Sequence, residues 1–418
     1  MAADFSTNGL PPLVNLSESP IIYNLYDSST DPTKDSYQMC LDLRVWKGDI
    51  AGIATADLYT LCKFPIDNPS GLQVNANFDV SNIVNSYMQD SLAQGYYNTL
   101  LENQYFLSAQ AYSKWKVNGS YVTSTKNSSG VARKVLDGYY KWGERQLLYS
   151  SSEYPFNDMV ENWPILSAVP SGVSQSISDT TKPFYFSGLN YSDSGGASSF
   201  PRYYVVEGSN GESISNFVSV DSSDIQNNSL NTVWNYVITG SDAVFQGSEW
   251  VNIKSYGNSS NLLGTPINIK IDCQKKYTPT RIIFKNRYGA FDNFEFSLVS
   301  NNSFEVETKE YKSNALNSVF SEYNRYDGSK TFYTDGVETL TVNSDYVDER
   351  YNDFFKQLMV SDEIYQVLDA STFNLGMFAE LQPLTLISKN LQFKKQEVDK
   401  LINYQFTFKY GTPFKLTL

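Results

Sequence analysis

Carboxylates are the residues of this chain with the most chemistry open to them, because its 418 residues include no histidine. The absence of histidine excludes Ser-His-Asp and Cys-His nucleophile systems, and it also excludes His-bound zinc and haem. Two carboxylates that face each other across a groove can still hydrolyse glycosides, one as the acid and one as the nucleophile or base. Asp292 and Glu295, in a Phe-rich segment, and Glu380 are candidates, but no spacing singles them out. We therefore predict no catalytic residues and no enzymatic activity.

Thiol chemistry has little support in the sequence. The three cysteines are odd in number, lie far apart and form no CxxC pair: Cys40, Cys62 and Cys273. This pattern is typical neither of a disulfide framework nor of a zinc ribbon. We expect Cys40 and Cys62 to be free thiols buried in strands, and we expect the chain to fold in a reducing cytoplasm.

Metal and cofactor sites also lack a recognisable motif. A calcium loop needs acidic residues at alternating positions, whereas Asp27, Asp31 and Asp35 are four residues apart and are better interpreted as solvated turn residues. Neither GxxxxGK[ST] nor GxGxxG occurs, so a phosphate-binding loop is not indicated. We expect no metal and no cofactor.

Aromatic residues are unusually frequent, with 31 Tyr, 25 Phe and 6 Trp, or 15% of the chain. Tyr and Phe favour strands, and packing in a core or an interface is their ordinary role. A sugar-binding platform of stacked rings is the alternative. The tryptophans are scattered along the chain at Trp46, Trp115, Trp142, Trp163, Trp234 and Trp250.

The formal net charge of −13 disfavours two classes of partner. Nucleic-acid binding requires a basic surface, and anionic membranes attract basic rather than acidic segments. No run of eighteen apolar residues predicts a transmembrane helix. The opening MAADFSTNGLPP has no basic region followed by an apolar stretch, so we expect no signal peptide.

The elements that would position these residues are mostly strands. The fold class we predict is mainly β, with multi-domain antiparallel β-sandwiches and a few short amphipathic helices. The predicted organisation is an N-terminal arm over 1–18, a β-sandwich domain with one helix over 19–150, a second β domain with long Ser/Asn-rich loops over 151–310, and a C-terminal α+β domain over 311–418 that ends in an edge strand.

Several local patterns support this organisation. Apolar residues alternate over 37–45 and over 105–117, which predicts two half-buried strands, and Asn118-Gly119 predicts a hairpin turn after the second. Asp79 is placed to cap a helix whose apolar stripe runs to residue 88. In the C-terminal part, Asp335-Gly336 predicts another hairpin turn. Ser344 or Asp345 is placed to cap a helix over 345–359.

The last strand, over 401–410, alternates aromatic and polar residues with few charges. If it lies at a sheet edge, its unpaired backbone groups would recruit another chain. The N-terminal arm is the second candidate for such a contact. The interface residues that we predict are Phe5, Leu10, Leu13, Tyr404, Phe406, Phe408, Phe414, Leu416 and Leu418.

Three segments of the chain carry a family resemblance. They are YTPTRIIFKNRYGAFDNFEF (277–296), FPIDNPSGLQVNANFDVSNIVNSYM (64–88), and TLTVNSDYVDERYNDFFKQLMVSDEIYQV (339–367) followed by LINYQFTFKYGTPFKL (401–416). Each resembles a segment of virion structural proteins of tailed double-stranded DNA bacteriophages. The resemblance implies a component of the neck, tail or baseplate that is built from β-sandwich domains, and it implies no catalytic residues.

These observations lead to three expectations of function. The first is a non-enzymatic virion structural protein that forms a symmetric oligomer, made in the bacterial host cytoplasm. Its partners would be its own copies and other virion proteins, with passive contact with packaged DNA, no specific DNA binding and no membrane. The second is a carbohydrate-binding or fibre-like adhesin protein on the virion surface, which needs coplanar exposed rings. The third is a glycoside hydrolase, which needs two facing carboxylates.

Overall fold

The structure, a computed structural model, describes residues 3–6, 9–12, 14–27, 35–47, 52–67, 74–88, 105–130, 132–141, 165–190, 203–215, 232–238, 242–256, 262–272, 276–312, 329–368, 381–391 and 401–411. Over these residues the chain is mainly β, as predicted, and almost all of its strand pairs are antiparallel. Its α-helices there are α1 (Ser81–Asn85) and α2 (Asn352–Val360), and short 3-10 turns cover Gly52–Thr55 and Glu349–Tyr351.

Strands are numbered in chain order. The first eleven are β1 (Asp4–Phe5), β2 (Val14–Leu16), β3 (Ile22–Asp27), β4 (Asp35–Lys47), β5 (Asp57–Lys63), β6 (Ile66–Asp67), β7 (Val74–Asp79), β8 (Tyr105–Val117), β9 (Ser120–Thr123), β10 (Asn127–Ser128) and β11 (Arg133–Leu136). The next seven are β12 (Ser174–Ile177), β13 (Phe184–Asn190), β14 (Tyr203–Gly208), β15 (Ser213–Ser215), β16 (Thr232–Ile238), β17 (Trp250–Tyr256) and β18 (Leu262–Ile271). The rest are β19 (Thr280–Lys285), β20 (Phe291–Phe296), β21 (Asn301–Lys312), β22 (Ser329–Asn343), β23 (Val347–Asp348), β24 (Ile364–Val367), β25 (Leu381–Leu386), β26 (Leu401–Ile402) and β27 (Gln405–Tyr410).

The chain divides into two compact units, each made of separate stretches of sequence. Unit 1 comprises Met1–Ser174, Phe184–Lys270 and Lys285–Asp292, and unit 2 comprises Gln175–Pro183, Ile271–Phe284 and Asn293–Leu418. The domain boundaries predicted after residues 150 and 310 do not coincide with them. Sequence composition marks changes along the chain, whereas these units are held together by contacts between distant segments.

Unit 1 contains a β-sandwich. One sheet has the order β1-β3-β7-β6, and the other has the order β2-β11-β8-β4-β5 with β9 and β10 also paired to β8. The core lies between these two sheets. Leu41 on β4 and Leu107 on β8 are fully buried there, where they face Leu25 and Phe78 of the other sheet. Helix α1 adds its buried Val84 to the same core. Unit 1 also holds a sheet of β15, β14, β17 and β18 and a ribbon of β13 and β16.

The first residues of the chain are strands of this sandwich and do not form a separate arm. In β1, Phe5 pairs with Leu25 of β3, and β2 pairs in parallel with β11. Phe5 and Leu10 are partly buried against the sandwich core. The predicted arm is therefore corrected, because its scattered apolar residues find partners on both sheets of their own chain.

Cys40 and Cys62 form a disulfide, so the prediction of two free thiols is wrong. The two residues lie directly opposite each other in the antiparallel pair β4–β5, with their Cα atoms 4.2 Å apart. This short separation is that of a non-hydrogen-bonded pair, in which the side chains approach most closely. Cysteine spacing alone did not show this, because the pairing depends on the register of the two strands. Cys273 lies outside the described residues.

One local prediction in unit 1 is confirmed, and a second is partly wrong. The hairpin between β8 and β9 turns at Asn118-Gly119, whose φ angles of 51° and 83° are those of a two-residue turn with positive φ at both positions. Asp79 precedes α1, and its Oδ1 accepts a hydrogen bond from the Ser81 amide at 3.0 Å, but the N-cap residue is Val80 and the helix ends at Asn85, short of residue 88.

Unit 2 is built on a seven-stranded sheet with the order β20-β19-β24-β25-β27-β22-β21. Helix α2 packs Phe354 and Phe355 against it, and the ring of Phe355 lies 5.0 Å from Phe294 and 5.3 Å from Phe406 between centroids. Edge-on contacts of this kind stabilise aromatic clusters beyond simple burial. The buried cluster comprises Phe284, Phe294, Phe296, Tyr351, Phe354, Phe355, Tyr404, Phe406 and Phe408.

The start of this helix differs from the one predicted from the sequence. Neither Ser344 nor Asp345 caps it, because the chain first forms β23, which pairs with β26. Asp348 then accepts the Arg350 amide at 2.8 Å to begin the 3-10 turn that leads into α2. The Ser344 hydroxyl instead accepts the Tyr404 amide at 2.7 Å.

Two further predictions concern the strands of this sheet. Strand β27 is not an edge strand, since it pairs with β22 on one side and β25 on the other. Asp335-Gly336 is not a turn, because both residues lie within the single strand β22, where Gly336 pairs with Val306. A Cβ on Gly336 would meet the ring of Phe304 at 2.3 Å, so the glycine leaves room for that ring.

Candidate functional site

Buried charged residues of the 277–296 segment form hydrogen bonds with other groups of the same chain. Arg281 is 1% exposed, and its guanidinium bonds to the Glu295 carboxylate at 2.8 Å. The same guanidinium donates to backbone oxygens of Asp179, Lys182 and Pro183 at 2.5, 2.6 and 3.1 Å. A buried charge needs this degree of satisfaction. Glu295 is thus a structural partner of Arg281.

Asp292, the other carboxylate singled out in this segment, is also occupied. It accepts hydrogen bonds from the Ser167 hydroxyl, the Ala168 amide and the Asn286 side chain at 2.5, 2.7 and 2.8 Å. Burial raises the pKa of Asp292 to about 6, although these hydrogen bonds favour the charged form. Asn286 in turn accepts the Ala290 amide and so shapes the turn after β19. Glu380 lies outside the described residues.

Other acidic residues follow the same pattern. Asp42 is buried and accepts from Thr60 and Tyr112 at 2.7 and 3.3 Å and from the Lys126 ammonium. Asp27 is buried too, and it accepts from the Tyr37 hydroxyl, so it is not the solvated turn residue that was predicted. Within the described ranges no cluster of three or more Cys, Asp or Glu residues lies close enough together to hold a metal ion.

An open cleft at the start of α2 is lined by Asp348, Glu349, Arg350, Asn352 and Asp353. Its arginine already pairs with Asp348 at 3.0 Å, and both side chains are solvent-accessible.

The most distinctive surface is the hairpin ladder of β21 and β22, which we call the exposed ladder (Asn301–Lys312 with Ser329–Asn343). β21 is the last strand of its sheet, and no strand pairs with its outer edge in the described part of the chain. All of its described side chains through Tyr311 are exposed. The ladder presents large apolar residues that are 44–63% exposed, namely Phe304, Val306, Tyr311, Phe332 and Tyr333. Such a surface is unusual on a chain that works alone.

The two faces of β21 differ in character. One carries Glu305, Glu307 and Lys309, and the Lys309 ammonium lies 4.0 Å from Glu307 and 5.3 Å from the ring of Tyr333. The other carries Phe304, Val306 and Thr308. Strand β21 therefore combines an exposed backbone edge with apolar and charged side chains that a partner strand could contact.

A smaller apolar surface lies in unit 1. Leu58 on β5 and Ile66 on β6 are exposed, as is Phe64 between them. Both strands end their sheets. Unit 1 therefore also presents sheet edges with apolar side chains.

The interface residues predicted from the sequence do not lie on these surfaces. Tyr404, Phe406 and Phe408 are buried in the aromatic cluster of unit 2, and Phe5 and Leu10 pack on the sandwich core. The remainder, Leu13, Phe414, Leu416 and Leu418, lie outside the described residues.

Sequence reasoning overlooked β21. A signal was present, because Phe304 and Val306 alternate with Glu305, Glu307 and Lys309. Alternation identifies two faces of a strand, but it does not show that one backbone edge lacks a neighbour. We therefore regard the exposed ladder as the candidate functional site.

No protein-family model matches the chain, and no curated protein does either. Among solved structures, one similar chain is a Ca2+-stabilized adhesin that helps an Antarctic bacterium reach out and bind ice. The two chains are 9% identical, the alignment covers 98% of this chain and 97% of that chain, and the TM-score is 0.16. A TM-score this low does not describe a shared fold, so the likeness enters no argument below. None of the helices in the described ranges is long and apolar enough to cross a membrane.

Proposed function

We propose that this chain is a non-enzymatic virion structural protein of a tailed double-stranded DNA bacteriophage, assembled as a symmetric oligomer in the neck, tail or baseplate. The observation that carries the proposal is the exposed ladder, with its open backbone edge and its apolar side chains. The unpaired backbone groups of a long edge strand favour aggregation of a monomer. In an assembly the same groups can pair with a strand of a neighbouring subunit. The sequence resemblance to phage virion proteins adds to this argument.

The state of the carboxylates favours the same proposal over a glycoside hydrolase. Glycoside hydrolysis needs two carboxyl groups that face a sugar across a groove. Asp292 and Glu295 are instead buried and hydrogen-bonded to groups of their own chain. Neither carboxylate is presented to a substrate.

The arrangement of the rings favours assembly over sugar binding. A platform for pyranose rings needs exposed, coplanar aromatic faces. Trp46 stacks on Phe106 where both are buried, and the exposed rings of Tyr311 and Phe332 meet edge-on at 69°. Many aromatic side chains in the described ranges are buried, so they cannot serve as a sugar-binding platform.

The chemistry of the chain also fits a place in a particle. The Cys40–Cys62 bridge persists in oxidising surroundings, which a particle meets once it has left the host cytoplasm where its subunits are made. A net charge of −13 would repel the phosphates of packaged DNA, so that contact with it would be passive.

The experiment that tests the proposal is mass spectrometry of purified particles from the phage that encodes the chain. We expect peptides of this chain at a stoichiometry of several copies per particle, and density for both units at one layer of the neck, tail or baseplate. Absence from the particles would overturn the proposal. Glycan release by the purified chain would overturn it as well.

A further inference from the structure

The outer edge of β21 remains regular although its ladder is interrupted. The register of β21 and β22 shifts between Lys309, which pairs with Tyr333, and Glu310, which pairs with Thr331. The additional residue is Phe332, on β22, so the bulge is not on β21; at this point the ladder has two strands, because β22 pairs with β27 only over Thr339–Asn343. Natural edge strands are commonly protected by a bulge, a proline, short length or charged side chains. Of these devices β21 carries only the charges, at Glu305, Glu307, Lys309, Glu310 and Lys312. β21 is 12 residues long and has neither a proline nor a bulge of its own.

The charges along β21 identify a partner that would fit this edge. In an antiparallel pair of identical strands related by a two-fold axis perpendicular to the sheet, residues of the same face lie opposite each other. With the axis at Thr308, Glu307 of each copy lies opposite Lys309 of the other. Thr308 lies opposite itself, and Glu305 lies opposite Tyr311, whose hydroxyl is a hydrogen-bond donor.

Neighbouring registers lack this complementarity. An axis at Glu307 places that carboxylate opposite its own copy, and an axis at Lys309 does the same with the ammonium. An axis at Val306 places Glu305 opposite Glu307. Like charges directly opposite each other destabilise a strand pair, and an axis at Glu310 also places that carboxylate opposite its own copy. Among the registers within two residues of Thr308, only the one centred on Thr308 avoids such pairs.

We propose that β21 binds β21 of a second copy of this chain, antiparallel and centred on Thr308, so that the two β21–β22 ladders join into one four-stranded ladder beyond the part of β22 that pairs with β27. This inference rests on the proposed function, because it specifies the contact through which the structural protein associates. In this contact Glu307 of each copy pairs with Lys309 of the other across the two-fold axis. On the opposite face, Val306 of each copy lies opposite Glu310 of the other. Both charged side chains are well exposed in the single chain, at 70% and 56%.

A charge swap tests the pairing by sedimentation of the full chain across a concentration series. Lys309→Glu and Glu307→Lys each replace two attractive pairs by two repulsive ones, and each should weaken self-association by about tenfold or more. The double variant Glu307→Lys/Lys309→Glu restores both pairs and should restore association. Lys389→Glu makes the same charge change at an exposed position away from the edge and should have no effect.

Crosslinking tests the register. In a Cys273→Ser background, Thr308→Cys should form a covalent dimer on mild oxidation, because the two residues face each other at the axis. Glu310→Cys should not, because its two copies would be about 14 Å apart along the strands, beyond the reach of a disulfide.

Two results would overturn the inference. One is a wild-type chain that stays monomeric throughout the series, and the other is association that ignores the charge swap. If the chain is present in particles and the swap has no effect, the inference fails and the proposed function stands. If association follows the swap but the particles lack the chain, the proposed function fails and the contact stands.

Discussion

Arg281 is the residue on which the 277–296 segment depends most directly. Its guanidinium is buried with Glu295 and three backbone oxygens. Removal of one member of a buried ion pair leaves the other charge uncompensated and typically costs about 3–5 kcal/mol. We expect Arg281→Met to lower the free energy of unfolding by that amount, measured by urea denaturation.

The matched control is Arg350→Met, which removes an arginine whose pair with Asp348 is exposed to solvent. Exposed pairs contribute little, so its unfolding free energy should stay close to that of the wild type. Equal losses in the two variants would contradict the assignment of Arg281 as a structural centre.

Asp292 predicts a specific dependence of stability on pH. Its pKa is about 6 in the folded chain, against about 3.9 in an unfolded one. Because the folded pKa is raised, the stabilising contribution is fully present below the unfolded value and is lost as the pH rises through the folded value. Between pH of about 4 and 7 this group should cost the wild type roughly 2–3 kcal/mol.

Asp292→Asn cannot titrate and should lack this loss. The measurement is the difference in unfolding free energy between wild type and variant at several pH values. The wild type should lose stability relative to the variant as the pH rises. A constant difference would show that the pKa of the carboxylate is the same in the folded and unfolded chain, and a shift in favour of the wild type would show that its hydrogen bonds lower the pKa below the unfolded value.

Local chemistry was predictable at the residue scale where the partners are close in sequence. Asn118-Gly119 specifies its turn through its own φ preferences, and Asp79 accepts a hydrogen bond from Ser81, the first residue of the helix beside it. Arg281 was not predictable, because its backbone acceptors lie about a hundred residues earlier in the chain. Nothing in the local sequence distinguishes a buried arginine of this kind from a solvated one.

At the scale of elements, the β4–β5 pair is held by its disulfide as well as by its ladder. The bridge closes a loop between residues 22 apart, and in the chain-entropy description such a crosslink contributes about 3 kcal/mol. We expect a reductant to lower the unfolding free energy of the wild type by about that amount. Cys40→Ala/Cys62→Ala should be insensitive to reductant, and a wild type equally insensitive would show that the thiols are not bridged.

Strands were predictable, whereas their neighbours were not. The alternation in β4, β8 and β27 correctly identified extended segments, but only β27 has one buried face, because β4 and β8 are buried on both faces over most of their length. The alternation of apolar and polar residues does not show which strands lie beside a given strand. For this reason β27 was expected at the edge of its sheet and β21 was overlooked. The interior position of β27 follows from pairing with β25 and β22, which lie at different distances along the sequence.

At the scale of the whole molecule, the composition of unit 2 predicts how the chain can be divided. The segment 311–418 contains α2 and β27 but lacks β19, β20 and nearly all of β21. It also lacks Phe284, Phe294 and Phe296, which complete the aromatic cluster. Expressed alone, it should therefore give a poorly dispersed amide spectrum by NMR, whereas the same residues in the full chain should be protected from hydrogen exchange. A well-dispersed spectrum of the fragment would show that it is an independent domain.

The buried position of Asp292 has a consequence for synthesis. Ser167 and Asp292 are hydrogen-bonded across 125 residues of sequence, and both belong to unit 1. A ribosome adds about 5–20 residues per second, so Asp292 is translated roughly 6–25 seconds after Ser167. Unit 1 therefore cannot finish folding until Asp292 has been translated, and the largest part of unit 2, Asn293–Leu418, is synthesised only after that residue.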